Sequence, residues 1–212
     1  MSTRTPVIFG AAAVSIAVGE LTDVQSVGFT ATAQVRNYLA APALLDVAAA
    51  AFIVGALLTV LAIASFWSDV QGRGGRFTRV GLGMLAAGAL WYAGFRAASD
   101  LTDVLVSHLP AATQATVLDA GTGWAGRLDV LLMLGWLLGP ILLWIGLRRA
   151  RRAHWLLLVV YLIAVAVEVA FAFVSLPVEA LSALVAVGTI AVLTRPVAAV
   201  PAEAHRRVPA AA

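Results

Sequence analysis

Six apolar stretches follow one another along this chain. Each is close to the ~20 residues that a helix needs to cross the hydrocarbon core of a bilayer. They run at about Pro6–Ser26, Pro42–Trp67, Val80–Ser99, Leu128–Leu147, Trp155–Ser175 and Pro177–Thr194. All are rich in Ala, Leu, Val and Gly, and none shows the strict apolar–polar alternation of a barrel strand. Hydrophobic residues make up 62% of the chain and charged ones 12%, with a mean hydropathy of +0.96. A soluble domain is about half apolar and about a quarter charged, so this chain is built to face lipid. The predicted fold class is all-α: an integral membrane bundle of six transmembrane helices.

The helices group as three hairpins, at about 6–67, 80–147 and 155–194. Together they form a single transmembrane domain over residues 1–195. The tail at 196–212 carries Pro196, Pro201 and Pro209, which argue against folded structure and for a flexible cytoplasmic segment. The Gln71–Gly75 stretch also reads as flexible. Pro6, Pro42 and Pro177 suit first helical turns, where a missing amide donor costs nothing. Pro140 falls inside the fourth stretch and predicts a kink. A cleaved signal peptide is the alternative for the first stretch, since Arg4 precedes an apolar run. The continuation into Glu20 and Asp23, without a clear cleavage site, favours retention.

Orientation follows from arginine. All fourteen basic residues are arginine, with no lysine present. Arg4, Arg73, Arg76, Arg79, Arg148, Arg149, Arg151, Arg152, Arg195, Arg206 and Arg207 fall on one side of the six-span scheme. Arg36, Arg96 and Arg127 fall towards the other. Cytoplasmic loops hold the excess of basic residues, which places both termini in the cytoplasm of a multi-pass cell-membrane protein. The same distribution explains the pI of about 10.2 without nucleic-acid binding.

Two short sequences recur about 80 residues apart. Leu21-Thr22-Asp23-Val24 returns as Leu101-Thr102-Asp103-Val104, and Leu45-Asp46-Val47 as Leu128-Asp129-Val130. This suggests a parallel pseudo-repeat of hairpins with acidic residues converging at one end; the alternative is coincidence in a low-complexity chain.

The acids carry the functional signal. Glu20, Asp23, Asp46, Asp100, Asp103, Asp119, Asp129, Glu168 and Glu179 all lie in the outer half, against Asp69 and Glu203 in the inner. Asp46, Asp129 and Glu179 are expected in first helical turns, where the helix dipole favours negative charge by about 0.3–1 kcal/mol. Glu168 has no such excuse. At 1.5 Å per residue it lies about 20 Å into its helix, between Val167 and Val169. An unpaired carboxylate there costs about 2.5–3.5 kcal/mol or more. Glu20 is comparable, and Arg96 is the natural countercharge because arginine keeps its proton. The expected site is a buried cluster of Arg96 with some of Glu20, Asp46, Asp100 and Glu168. Such a cluster either sets helix register or marks a proton or ligand path. If the protein is an enzyme, Glu168, Glu20 and Asp46 are the catalytic candidates. Arg96, Asp23, Asp100, Asp129, Glu179, Trp91 and Trp136 are the candidate substrate-binding residues, with Trp91, Tyr92 and Trp136 able to line a cavity.

Other chemistry is excluded or weak. The absence of cysteine removes disulfides and thiolate metal sites, and the absence of lysine removes Schiff-base chemistry. His108, His154 and His205 lack metal or haem spacing, so neither metal nor cofactor is expected. Gly135-Trp136-Leu137-Leu138-Gly139 has small-residue helix-packing spacing, which suits internal packing better than dimerisation.

Several segments resemble the bacterial six-helix membrane family catalogued as domain of unknown function 4386. Ala89-Leu90-Trp91-Tyr92-Ala93-Gly94-Phe95-Arg96 is similar to its small-aromatic run ending in Phe-Arg before an acid, although Asp100 comes one residue later than that pattern. Ala43-Leu44-Leu45-Asp46 resembles its Leu-Leu-Glu helix start, and Leu176-Pro177-Val178-Glu179 its last-helix Pro and Glu. The resemblance implies the six-helix fold and no activity. The reading from the residues is a membrane protein with an outward-facing acidic/arginine site that binds or transports a proton, a cation or a small molecule. The alternative is a membrane-embedded enzyme acting on a lipid or isoprenoid, similar in style to terpene cyclases, with a carboxyl general acid. A third reading is an accessory subunit whose polar cluster only sets packing. Expected partners are the lipid bilayer and a small hydrophobic or cationic ligand; the sequence leaves oligomeric state open.

Overall fold

The computed structural model describes residues 4–24, 31–70, 72, 74–110, 113–114, 116–117, 123–171 and 174–195. Within its helices, the side chains of 31–32, 34–35, 38, 95–104 and 123–133 lie outside that description. The described residues are all-helical: α1 (Arg4–Thr22), α2 (Ala31–Ala40), α3 (Pro42–Trp67), α4 (Gly75–Ser107), α5 (Gly123–Arg149), α6 (Trp155–Phe171) and α7 (Leu176–Leu193). Three of them, α1, α3 and α7, are long and apolar enough to cross a membrane, and α6 is a shorter apolar helix. Their outer faces support that reading. Val7, Val169 and Leu181 are 71%, 67% and 62% exposed, a pattern suited to lipid and costly in water.

Several boundaries differ from expectation. The expected loop at 27–41 contains α2. Helix α4 begins at Gly75, inside the stretch read as flexible, and continues to Ser107, well past Ser99. Hydropathy locates where polarity begins, whereas a helix ends only where its backbone hydrogen bonds find other partners. Arg96, Asp100 and Asp103 therefore sit on continuing helix. The Leu101–Val104 copy of the repeat lies within α4, whereas Leu21–Val24 spans the end of α1. The two copies share letters but not local structure. Neither α3 nor α5 has an acid in its first turn, so Asp46 and Asp129 lie a turn deeper than expected; Glu179 does occupy the first turn of α7. The tail at 196–212 lies outside the described residues.

Local chemistry sets the helix ends. Proline occupies the first two positions of α3 and α7, where its fixed φ suits helix entry. Gly74 caps α4 with φ 87°, a left-handed conformation that glycine adopts without a steric penalty.

Chain neighbours pack as pairs, α1 on α3, α4 on α5 and α6 on α7. Helix α1 also packs on α7, and α3 on α4, so the six long helices form a ring in chain order. The ring is weakest between α5 and α6, which meet at few points.

Small residues allow the tight seams. A Cβ on Gly88 would sit 2.6 Å from the Trp136 amide nitrogen, and one on Gly139 2.8 Å from that of Leu85. Gly135 and Gly139 thus serve the α4–α5 seam inside the chain, through close backbone approach. At the α1–α3 seam, Gly19 receives the Phe52 ring and Gly55 receives Ile16, and Ser15 donates to the Ala51 carbonyl at 2.8 Å.

The largest buried core cluster, including Phe9, Ile63, Phe66, Leu82, Leu85, Leu143, Leu147 and Ile190, fills the arginine-bearing end. A second, with Ala12, Ile16, Phe52 and Val187, lies towards the acidic end, with Tyr92 and Trp136 packed against it.

Candidate functional site

The topology brings the late part of α1, the second half of α4, the end of α6 and the start of α7 to one end of the ring. Each delivers a polar side chain. Glu20 of α1 is 4% exposed and Glu179 of α7 is 5% exposed, while Glu168 of α6 is half-buried. Glu20 and Glu179 both act electrostatically on Glu168, so the three carboxyls form one cluster although they are distant in sequence.

Tyr92 of α4 donates its hydroxyl hydrogen to Glu20 Oε1. Its ring is held from two sides. Phe52 of α3 meets it edge-on, with centroids 5.0 Å apart and planes at 84°. Trp136 of α5 stacks on it at 6.4 Å and 14°. Such aromatic pairs add about 0.5–1.5 kcal/mol beyond their buried area, and here they aim the phenol at the carboxylate.

Tyr161 of α6 completes the set. It is buried, it feels the charge of Glu168, and its hydroxyl donates to the Trp136 carbonyl at 3.0 Å, with the Leu137 carbonyl at 3.4 Å. The acceptor is available for a covalent reason. Pro140 lies inside α5, four residues after Trp136, and has no N–H to give to that carbonyl. The Tyr161 hydroxyl supplies the missing donor from the neighbouring helix. All six long helices therefore contribute to the site or its walls.

The remaining sequence candidates divide. Asp23, just beyond α1, is 2% exposed and lies at the same end. Asp46 is exposed on α3, which removes it from the buried cluster: the helix turns it outward while Leu45 and Ala48 face in. Trp136 belongs to the site through its stacking. Trp91 is half-buried and neighbours Tyr92 along α4. Arg96, Asp100 and Asp129 have helical backbone, but their side chains lie outside the described residues. Along the backbone of α4, Arg96 comes four residues after Tyr92. Asp119 also lies outside the described residues.

Tyr161 was missed by sequence reasoning. A usable signal existed, because Tyr161 and Glu168 are separated by two helical turns and fall on one face of α6.

Among the described residues, no three His, Asp or Glu side chains converge closely enough to hold a metal ion. Compared with protein-family models, curated proteins and solved structures, the chain matches none.

Proposed function

We propose that this chain is a six-span cell-membrane protein, its arginine-rich end and both termini in the cytoplasm, that binds an organic cation or protons at the Glu20–Glu168–Glu179 cluster. The carrying observation is the half-buried Tyr92–Glu20 hydrogen bond beside two further carboxyls. Like charges gathered in apolar surroundings repel one another, and a bound cation or proton relieves that repulsion. The half-buried Trp136 ring, stacked on Tyr92, adds a π surface that attracts a ligand cation. The apolar core at the arginine-bearing end favours binding over a polar path through the protein. The test is calorimetric titration of the purified protein with tetraphenylphosphonium. Binding that weakens about tenfold or more in both Glu20→Gln and Glu168→Gln supports the proposal; unchanged binding in both sinks it.

A second reading has one observation in its favour. Glu20 adjoins an aromatic wall, the arrangement an enzyme would use to protonate an isoprenoid and shield the resulting carbocation. Conversion of a polyprenyl substrate by the parent protein and its loss in Glu20→Gln, with unchanged folding, would favour it.

A further inference from the structure

Helices α5 and α6 form a hairpin that is pinned at its arginine-bearing end. The Trp144 indole N–H donates to the His154 carbonyl at 3.0 Å, and the Arg148 guanidinium to that of Ala153 at 3.4 Å. Within the turn, the Arg152 amide donates to the Leu147 carbonyl at 2.8 Å. Towards the acidic end the same two helices part, along the sparsest seam of the ring.

Burial along the facing surfaces records the splay. On α5, Ile141 packs against the cluster of Tyr161 and Ala164 from α6 and Ala186 from α7, and it is half-buried. Leu138 and Leu134 follow it outward at helical spacing and so share its face, yet both are 38% exposed. On α6, Tyr161 and Ala164 are buried, Glu168 is half-buried two turns further out, and Phe171 is exposed. Exposure rises in the same direction on both sides of the seam.

The parts beside the seam are firmer than the seam itself. Helix α5 lies against α4 through close backbone approach at Gly88 and Gly139, and α6 packs on α7. Separation of the α4–α5 pair from the α6–α7 pair, about the turn at 150–154, would break little packing. The Tyr161 hydroxyl on the Trp136 carbonyl, at 3.0 Å, spans this line. Trp136 is also the ring that stacks on Tyr92, which in turn holds Glu20. The tie across the seam and the wall of the carboxyl site are thus one residue.

We propose that the α5–α6 seam is the entrance to the carboxyl cluster from the bilayer, with Tyr161 as its latch. The entrance rests on the cation-binding reading of that cluster, and it narrows the ligand to cations that dissolve in hydrocarbon. Leu134 and Leu138 on one helix and Val165 and Phe171 on the other offer no polar group to a hydrated ion. They suit an aryl- or alkyl-substituted onium ion whose charge is shielded by its own apolar groups. Glu168 is the first carboxyl on that route, because it shares the α6 face of Tyr161 and keeps an exposure that Glu20 and Glu179 lack.

The chain contains no cysteine, so an introduced pair reacts alone. Ile141→Cys with Val165→Cys puts one thiol on each helix beside the same buried cluster, and a short bismaleimide joins them. The readout is stopped-flow binding of tetraphenylphosphonium to the full chain in lipid nanodiscs. Cross-linking should slow association and dissociation about tenfold or more, leaving Kd within about threefold of the unlinked double variant. Tyr161→Phe should speed both steps about fivefold, the factor equivalent to an interhelical hydrogen bond of about 1 kcal/mol, again with little change in Kd. A control cross-link between Ser15→Cys and Ala51→Cys, across the α1–α3 seam where Ser15 bonds to Ala51, should alter neither rate. Absence of tetraphenylphosphonium binding in the parent sinks the cation reading and the entrance with it. Parental binding whose rates respond neither to the α5–α6 cross-link nor to Tyr161→Phe, or slow equally under the control cross-link, overturns the entrance alone.

Discussion

The Tyr161 hydroxyl in α6 lies 3.0 Å from the carbonyl oxygen of Trp136 in α5, at the point where Pro140 withholds the donor that the helix would otherwise supply. A proline in one helix and a tyrosine in the next thus form one hydrogen-bonding unit across the weakest seam of the ring. Removing the hydroxyl in Tyr161→Phe should cost about 1 kcal/mol, within the range of interhelical hydrogen bonds in membranes. Pro140→Ala restores an amide donor to the Trp136 carbonyl. In that background Tyr161→Phe should cost measurably less. Thermal unfolding of the two single variants and the double variant measures the coupling, and additive losses would show that proline and tyrosine are independent.

Tyr92 and Glu20 form the second such unit. Tyr92→Phe keeps both aromatic contacts of the ring but leaves a buried carboxyl without its phenol. Hydrogen bonds to charged groups contribute about 1.5–3 kcal/mol, so the variant should lose about 2 kcal/mol. Cation binding should also weaken, because the carboxylate loses its fixed orientation. A variant with parental stability and parental tetraphenylphosphonium affinity would contradict this role.

The residues that announced themselves in the sequence were those whose burial is expensive. Glu168 and Glu20 stood out because a carboxylate at depth requires company, and the fold places both in one cluster with Glu179. Asp46 was misplaced because distance from a helix end says nothing about which way the helix faces; one residue away, Leu45 is 2% exposed. Tyr161 stayed hidden because an uncharged phenol in an apolar run looks like core, and its acceptor is a backbone carbonyl. Helix α3 was bounded well because Pro42 marks its start and the polar Ser68–Asp69 pair follows it. Helix α4 was not, because polar residues end an apolar stretch without ending a helix.

The α4–α5 seam predicts a sharp contrast between glycines. Gly88→Val would drive a side chain into the backbone of Trp136, and overpacking of this kind costs about 3 kcal/mol. A Cβ added at Gly83 would meet nothing within 4 Å, so Gly83→Ala should gain about 0.5–1 kcal/mol from helix propensity. Thermal unfolding in detergent reads both, and similar effects at the two positions would count against the close packing of these helices.

Glu168 should show stability and function moving in opposite directions. Glu168→Gln removes the carboxyl whose ionisation burial, Glu20 and Glu179 oppose while retaining the side chain's size. The unliganded protein should therefore become more stable, by about 1 kcal/mol or ~2–4 °C for a chain of this length. The same substitution removes part of the attraction for a cation, so tetraphenylphosphonium should bind less tightly and raise Tm less than in the parent. Asp46→Asn, on the exposed face of α3, should alter neither quantity. A Glu168→Gln protein that is less stable than the parent would make the carboxyl a structural partner within the bundle. A stabilised variant that has lost cation binding would mean that the carboxyl is held at a cost to the fold for the sake of a ligand.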